Sequence, residues 1–184
     1  MLCVAVRAVG PVDESALSSL ERMLSRRYAA DVTRLDPVGE PADALDPKRK
    51  QYSSVAMLKR LIETAGPGEG KVLGVTERDL FIPMLTFVFG QAQLTGRFAL
   101  ISLARLRQEF YGLPGSQALL EERAAKEAVH ELGHAFGLAH CPDASCPMSL
   151  STTIRQVDAK GEEFCGTCAS LLRGRGLIPR EQWI

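Results

Sequence analysis

The chain has 184 residues, enough for one domain, at most with a small appendage, whose core holds without disulfides. Hydrophobic residues make up 46% and charged residues 24%, the balance of a soluble globular protein. Lys+Arg and Asp+Glu are equal at 22 each, so charge gives no ground for nucleic acid or an anionic membrane surface as partner.

The opening MLCVAVRAVGP is short, lacks a basic start and contains Arg7; Leu2 to Val9 reads as a buried first strand, not a signal peptide. Cys3 within it is expected to be a small buried hydrophobe. Asp13 and Ser15 offer caps for a helix on which Leu17, Leu20, Leu24 and Tyr28 recur at helical spacing. Ala30 to Leu35 reads as a second strand and Asp36 to Lys48 as a loop. Val55, Leu58, Leu61 and Ile62 mark a helix from Ser53 or Ser54 to Ala65, with Met57 as core, and GPGEG at 66–70 breaks it. Lys71 to Thr76, Leu85 to Gln91 and Phe98 to Leu103 complete the expected strands. A long helix follows from Ser116 to about Ala139, rich in Ala, Glu, Leu and Lys. A last helix is expected over Phe164 to Arg173. The runs Lys48-Arg49-Lys50 and Arg173, Arg175 read as solvated faces. Nowhere does an apolar stretch reach the ~20 residues of a spanning helix. The alternation of strands and helices points to an α/β sheet with helices packed on it.

All three histidines fall in one string, His130-Glu131-Leu132-Gly133-His134 followed by Gly137 and His140. Residues four apart on a helix share a face one turn apart, so His130 and His134 can meet one ion. A continuing helix would carry His140 away along its axis. Gly137 can adopt a left-handed conformation, end the helix and return the chain so that His140 reaches the same ion. Three neutral ligands leave zinc its full charge and an open position for water. Glu131, beside the first ligand, is placed to act as general base toward that water.

Four of the five cysteines lie in the C-terminal third: Cys141, Cys146, Cys165 and Cys168. In a reducing compartment, two such close pairs suit a closed tetrahedral zinc site of four thiolates; two disulfides are the alternative. A cytoplasmic location is the corresponding expectation.

The pattern HExxHxxGxxH is the zinc signature of the metzincin peptidases, which this segment resembles. Met148, eight residues past His140, fits the methionine of the metzincin Met-turn. The fuller string HExxHxxGxxHC-x4-C-x-M, with Asp158, Lys160 and FCxxC downstream, is similar to the archaemetzincins, with no departure at any ligand position. Weaker similarity extends to Arg49-Lys50-Gln51-Tyr52 and to 87–106. The resemblance implies a zincin-like α/β (α+β) fold over 1–184. It would have a twisted mixed five-stranded sheet and active-site helix over 1–140, and a Met-turn with a zinc-braced segment over 141–184. It implies two zinc ions, one catalytic and one structural. It also implies an antiparallel edge strand, mapped to Phe87 to Gln93, along which an extended peptide could pair. The implied activity is hydrolysis of peptide bonds on a peptide or protein substrate, by an aminopeptidase-like or internal cut, from a monomer. No tyrosine follows Met148 to serve as an additional oxyanion donor. The competing reading is a weakly active or non-catalytic zinc-stabilised peptide-binding module.

Overall fold

The computed structural model describes residues 2–28, 30–68 and 70–176. Alternation along the central strands explains its layers. In β1 (Cys3–Val9), Val4, Val6 and Ala8 turn to one face and Val9 to the other. In β5 (Lys71–Thr76), Leu73 and Val75 follow the first face and Val72 the second; in β8 (Phe98–Ser102), Ala99 and Ile101 oppose Phe98 and Leu100. Strands buried on both faces carry near-continuous apolar runs, unlike a half-solvated sheet; in β1 only Arg7 interrupts the run from Val4 to Val9. The first face receives α1 (Glu14–Tyr28) and α3 (Gln117–Ala135); the second receives α2 (Ser54–Thr64).

With β2 (Asp31–Val38) and β7 (Gly90–Ala92), these strands form one mixed sheet in the order β2-β1-β5-β8-β7. The first four run parallel and β7 is antiparallel to β8. The mixed five-stranded sheet with an antiparallel edge is thus present. A small second sheet joins β3 (Leu45–Asp46), β4 (Gln51–Ser53) and β6 (Leu80–Phe81). Two short helices, α4 (Ile154–Ala159) and α5 (Gly166–Gly174), follow α3. Among the described residues no helix is long and apolar enough to cross a membrane.

Several elements differ from the expectations. β2 continues through Pro37 to Val38, with a register shift opposite Arg7 and Val9. An outer strand tolerates proline because its missing N–H need not serve a ladder. The fourth strand shrinks to Gly90–Ala92, with a single bridge between Val88 and Leu80 before it. The carbonyls of Leu85 and Thr86 instead accept from Arg49 Nη2 at 2.7 and 3.1 Å, and Thr86 O also from Gln51 Nε2 at 2.9 Å. Arg49 is therefore half-buried and not part of a solvated run. Cys3 is exposed, not buried, since it begins β1 at the sheet's end. Val55 and Ile62 are exposed while Met57, Leu58 and Leu61 carry the buried face of α2.

Candidate active site

Ser116 caps α3, its hydroxyl accepting from the Leu119 amide at 3.3 Å. The helix ends at Ala135, short of the expected Ala139, because Gly137 takes φ +92. Leu138 N donates to Gly133 O at 2.9 Å and Gly137 N to His134 O at 2.8 Å. This pair of bonds is the Schellman closure, which needs a left-handed residue after the cap. The chain reverses there and returns His140 to the helix face that carries His130 and His134. The imidazole centroids lie 4.6, 5.3 and 4.8 Å apart.

The two helical imidazoles are oriented by main-chain carbonyls. His130 Nδ1 lies 2.7 Å from Pro147 O, and His134 Nδ1 lies 2.7 Å from Leu138 O. A carbonyl only accepts, so each Nδ1 carries the proton and each Nε2 carries a lone pair. Those Nε2 atoms face one another at 3.2 Å. Two lone pairs at that distance repel unless a cation stands between them. Zinc–nitrogen bonds of roughly 2.0–2.1 Å in a tetrahedron place two ligands about 3.3 Å apart, so the donor set fits that ion. Burial holds His130 well below the ordinary imidazole range, and lowers His134 and His140 as well. Neutral imidazole is the form that ligates.

Glu131 is buried on the adjoining helix position, and burial, with Glu127 adding to it, pushes its carboxyl well above the usual range. Gly90 of β7 lies against it, so close that a Cβ there would fall 2.6 Å from Glu131 Oε1.

The chain from His140 passes directly into a second cluster. The sulfurs of Cys141, Cys146, Cys165 and Cys168 all lie within 4.8 Å of one another, as do the ligand atoms of the three histidines. Cys141 and Cys165 have their Sγ atoms 3.7 Å apart, far beyond a disulfide bond of about 2.05 Å. Four sulfurs at about 2.3 Å from a tetrahedral zinc would be about 3.8 Å apart. The arrangement suits metal, not disulfides. Between the clusters, Cys141 N donates to Met148 O at 3.0 Å and Ser149 N to Cys146 O at 2.9 Å, forming a tight turn. Met148 is fully buried there with its sulfur under Gly133, where a Cβ would overlap it.

The structure thus gathers every site residue named from the sequence. Three further contributions had no signature of their own: Pro147 through its carbonyl, Gly90 through its missing side chain, and the buried Lys160–Glu127 pair behind His130. Helix α4 had one, since Thr153 and Gln156 form a capping box.

Residues 41–174 match Peptidase family M54. The archaemetzincin of Methanocaldococcus jannaschii is 41% identical over 174 residues, covering 95% of this chain and 94% of that one. The chain belongs to the archaemetzincins. Family membership places it among the zinc metalloproteases. The solved archaemetzincin of Methanopyrus kandleri aligns with TM-score 0.82 at 37% identity, covering 94% of each chain. The archaemetzincin of Archaeoglobus fulgidus, solved with malonate, aligns with TM-score 0.81 at 32% identity, covering 92% of this chain and 99% of that one. These likenesses run through the mixed sheet and the helix that carries the histidines, so the zincin-like architecture read from the motif is the architecture of the chain.

Proposed function

We propose that this archaemetzincin hydrolyses peptide bonds at a zinc held by His130, His134 and His140, with Glu131 as the general base. The observation that carries this reading is the pair of Nε2 atoms 3.2 Å apart, each ring oriented by a carbonyl at its Nδ1. A second zinc held by Cys141, Cys146, Cys165 and Cys168 is structural, because four thiolates leave no open position. Met148 and the Gly137 turn support the first site without touching substrate.

Zinc, when bound, supplies a Lewis acid and lowers the pKa of water toward neutrality. Glu131 accepts a proton from the attacking water and later delivers it to the leaving amine. Its burial excludes competing solvent and holds the carboxylate beside the histidines. The extended substrate lies along β7. Phe89 O and Gln93 N bond to β8, and antiparallel alternation then turns the main-chain groups of Gly90 and Ala92 toward the outer edge. A peptide can add there as a further strand, main chain to main chain. The chain is taken to work as one monomeric unit over 1–184, on peptides, in a reducing cytoplasmic setting where the four thiols persist.

The test is Glu131→Gln with metal content and cleavage of an unbiased peptide pool read together. Zinc should stay and hydrolysis should fall by about 100-fold or more. Turnover at the parental rate would sink the assignment of Glu131. Stepwise loss of N-terminal residues would mark an aminopeptidase; internal fragments would mark an endopeptidase. Peptide binding by the parental protein without any cleavage would favour a non-catalytic binding module instead.

A further inference from the structure

The edge strand and the general base meet at one residue. The α-carbon of Gly90 faces α3, and an added Cβ would lie 2.6 Å from Glu131 Oε1 and 2.7 Å from Glu131 Cγ. No real side chain tolerates such a separation; one group must move. Glu131 is buried against this strand, so it has little room to retreat. The other α3-facing residue of this strand, Ala92, is also small and packs against the same core. The strand cannot easily withdraw from Glu131. Gln91, on the opposite face, accepts from the fully buried Ser54 hydroxyl at 2.6 Å. Gly90 is therefore clamped from behind against the carboxylate in front of it.

We infer that Gly90 is a positioning residue: its missing side chain lets the β7 backbone act as a shelf that seats the Glu131 carboxylate beside the substrate edge. The inference rests on the reading of Glu131 as general base and on pairing of substrate with β7. The main-chain groups of Gly90 face the edge where the substrate would lie, while its α-carbon touches the base. One glycine thereby fixes the distance between the substrate strand and the proton acceptor. A displacement of about 1 Å in such a group is enough to cost about 100-fold in rate.

Gly90→Ala is expected to lower kcat about 100-fold, with KM and the number of bound zinc ions unchanged. The added Cβ would also lie 2.6 Å from Leu100 O, so the substitution disturbs the sheet whatever Glu131 does. A double-mutant cycle separates the two contacts. Thermal midpoints of zinc-loaded protein are measured for the parent, Gly90→Ala, Glu131→Ala and the double variant. If the carboxylate occupies the shelf, Gly90→Ala lowers the midpoint clearly less in the Glu131→Ala background than in the parent. Equal losses in both backgrounds would assign the whole cost to Leu100 and overturn the proposal, as would a Gly90→Ala enzyme with parental kcat. A raised KM with kcat unchanged would also overturn it, since that describes a strand that binds substrate without placing the base. The midpoint cycle needs no turnover. A failure of Glu131 as base shows separately, as retained hydrolysis in Glu131→Gln.

Discussion

The ammonium of Lys160 stands 3.4 Å from the carboxylate of Glu127, with 0% and 3% of the two side chains exposed. The same Nζ lies 3.5 Å from Nδ1 of His130, so the pair sits directly behind the first histidine. Burial raises the Glu127 carboxyl and the Lys160 charge opposes that rise. A buried pair gains little over an apolar one, but removing one partner strands the other charge in a low dielectric. Lys160→Met should therefore destabilise the metal-loaded protein by about 3–5 kcal/mol in urea unfolding. The double variant Glu127→Gln with Lys160→Met should recover a large part of that loss, because neither position then buries a charge. A Lys160→Met protein with the parental midpoint and slope would show that the pair contributes nothing to the fold.

The cysteine cluster yields a count. Cys165 is the residue just before α5, at its N-cap, and its sulfur faces Cys141, the residue next to His140. On the four-thiolate proposal, Cys165→Ser removes one of four soft ligands, and a hydroxyl is a poor substitute for thiolate at zinc. Metal analysis of the purified variant should fall from about two to about one zinc per chain, because binding at such a site is coupled to folding of the segment around it. The thermal midpoint should fall with it, and chelator should lower it little further at this cluster. Two full equivalents of zinc in Cys165→Ser would rule out the four-thiolate site.

The convergence of the three histidines was readable from sequence because they are crowded into a few residues whose spacing is dictated by one helix and one glycine turn. The sheet was readable where strands are buried on both faces, as in 71–76 and 98–102, since burial there favours near-continuous apolar runs. What escaped depends on distant partners. The segment 85–89 has strand-like residues, yet Arg49 and Gln51 take its carbonyls, so only Gly90–Ala92 joins the ladder. Cys3 has a buried residue's chemistry but stands at the start of β1, where cover runs out. Lys160 was visible only as part of a family pattern; that it is buried against Glu127 follows from the path of 141–160 back across α3. Gly90 carries no mark of its own in the sequence; its closeness to Glu131 depends on how α3 packs over β7.

The turn at Gly137 offers the sharpest test of how the third histidine arrives. At φ +92 an L-residue is strained, and a Cβ there would overlap the Arg175 guanidinium and lie 3.2 Å from Thr95 Oγ1. Gly137→Ala should thus cost at least the ~1–2 kcal/mol of a left-handed residue. The loss should not be spread evenly over the molecule. Leu138 O, which orients His134, and His140 itself both hang on this turn. Affinity at the histidine site should fall about 10–100-fold, the range seen when groups that orient ligands are lost. Zinc at the four cysteines should be retained, so chelator competition should release one ion early and the other late. Gly137→Asn should be milder, because asparagine enters the left-handed region more readily than alanine. Parental zinc affinity in Gly137→Ala would mean that His140 reaches its place by contacts other than the turn.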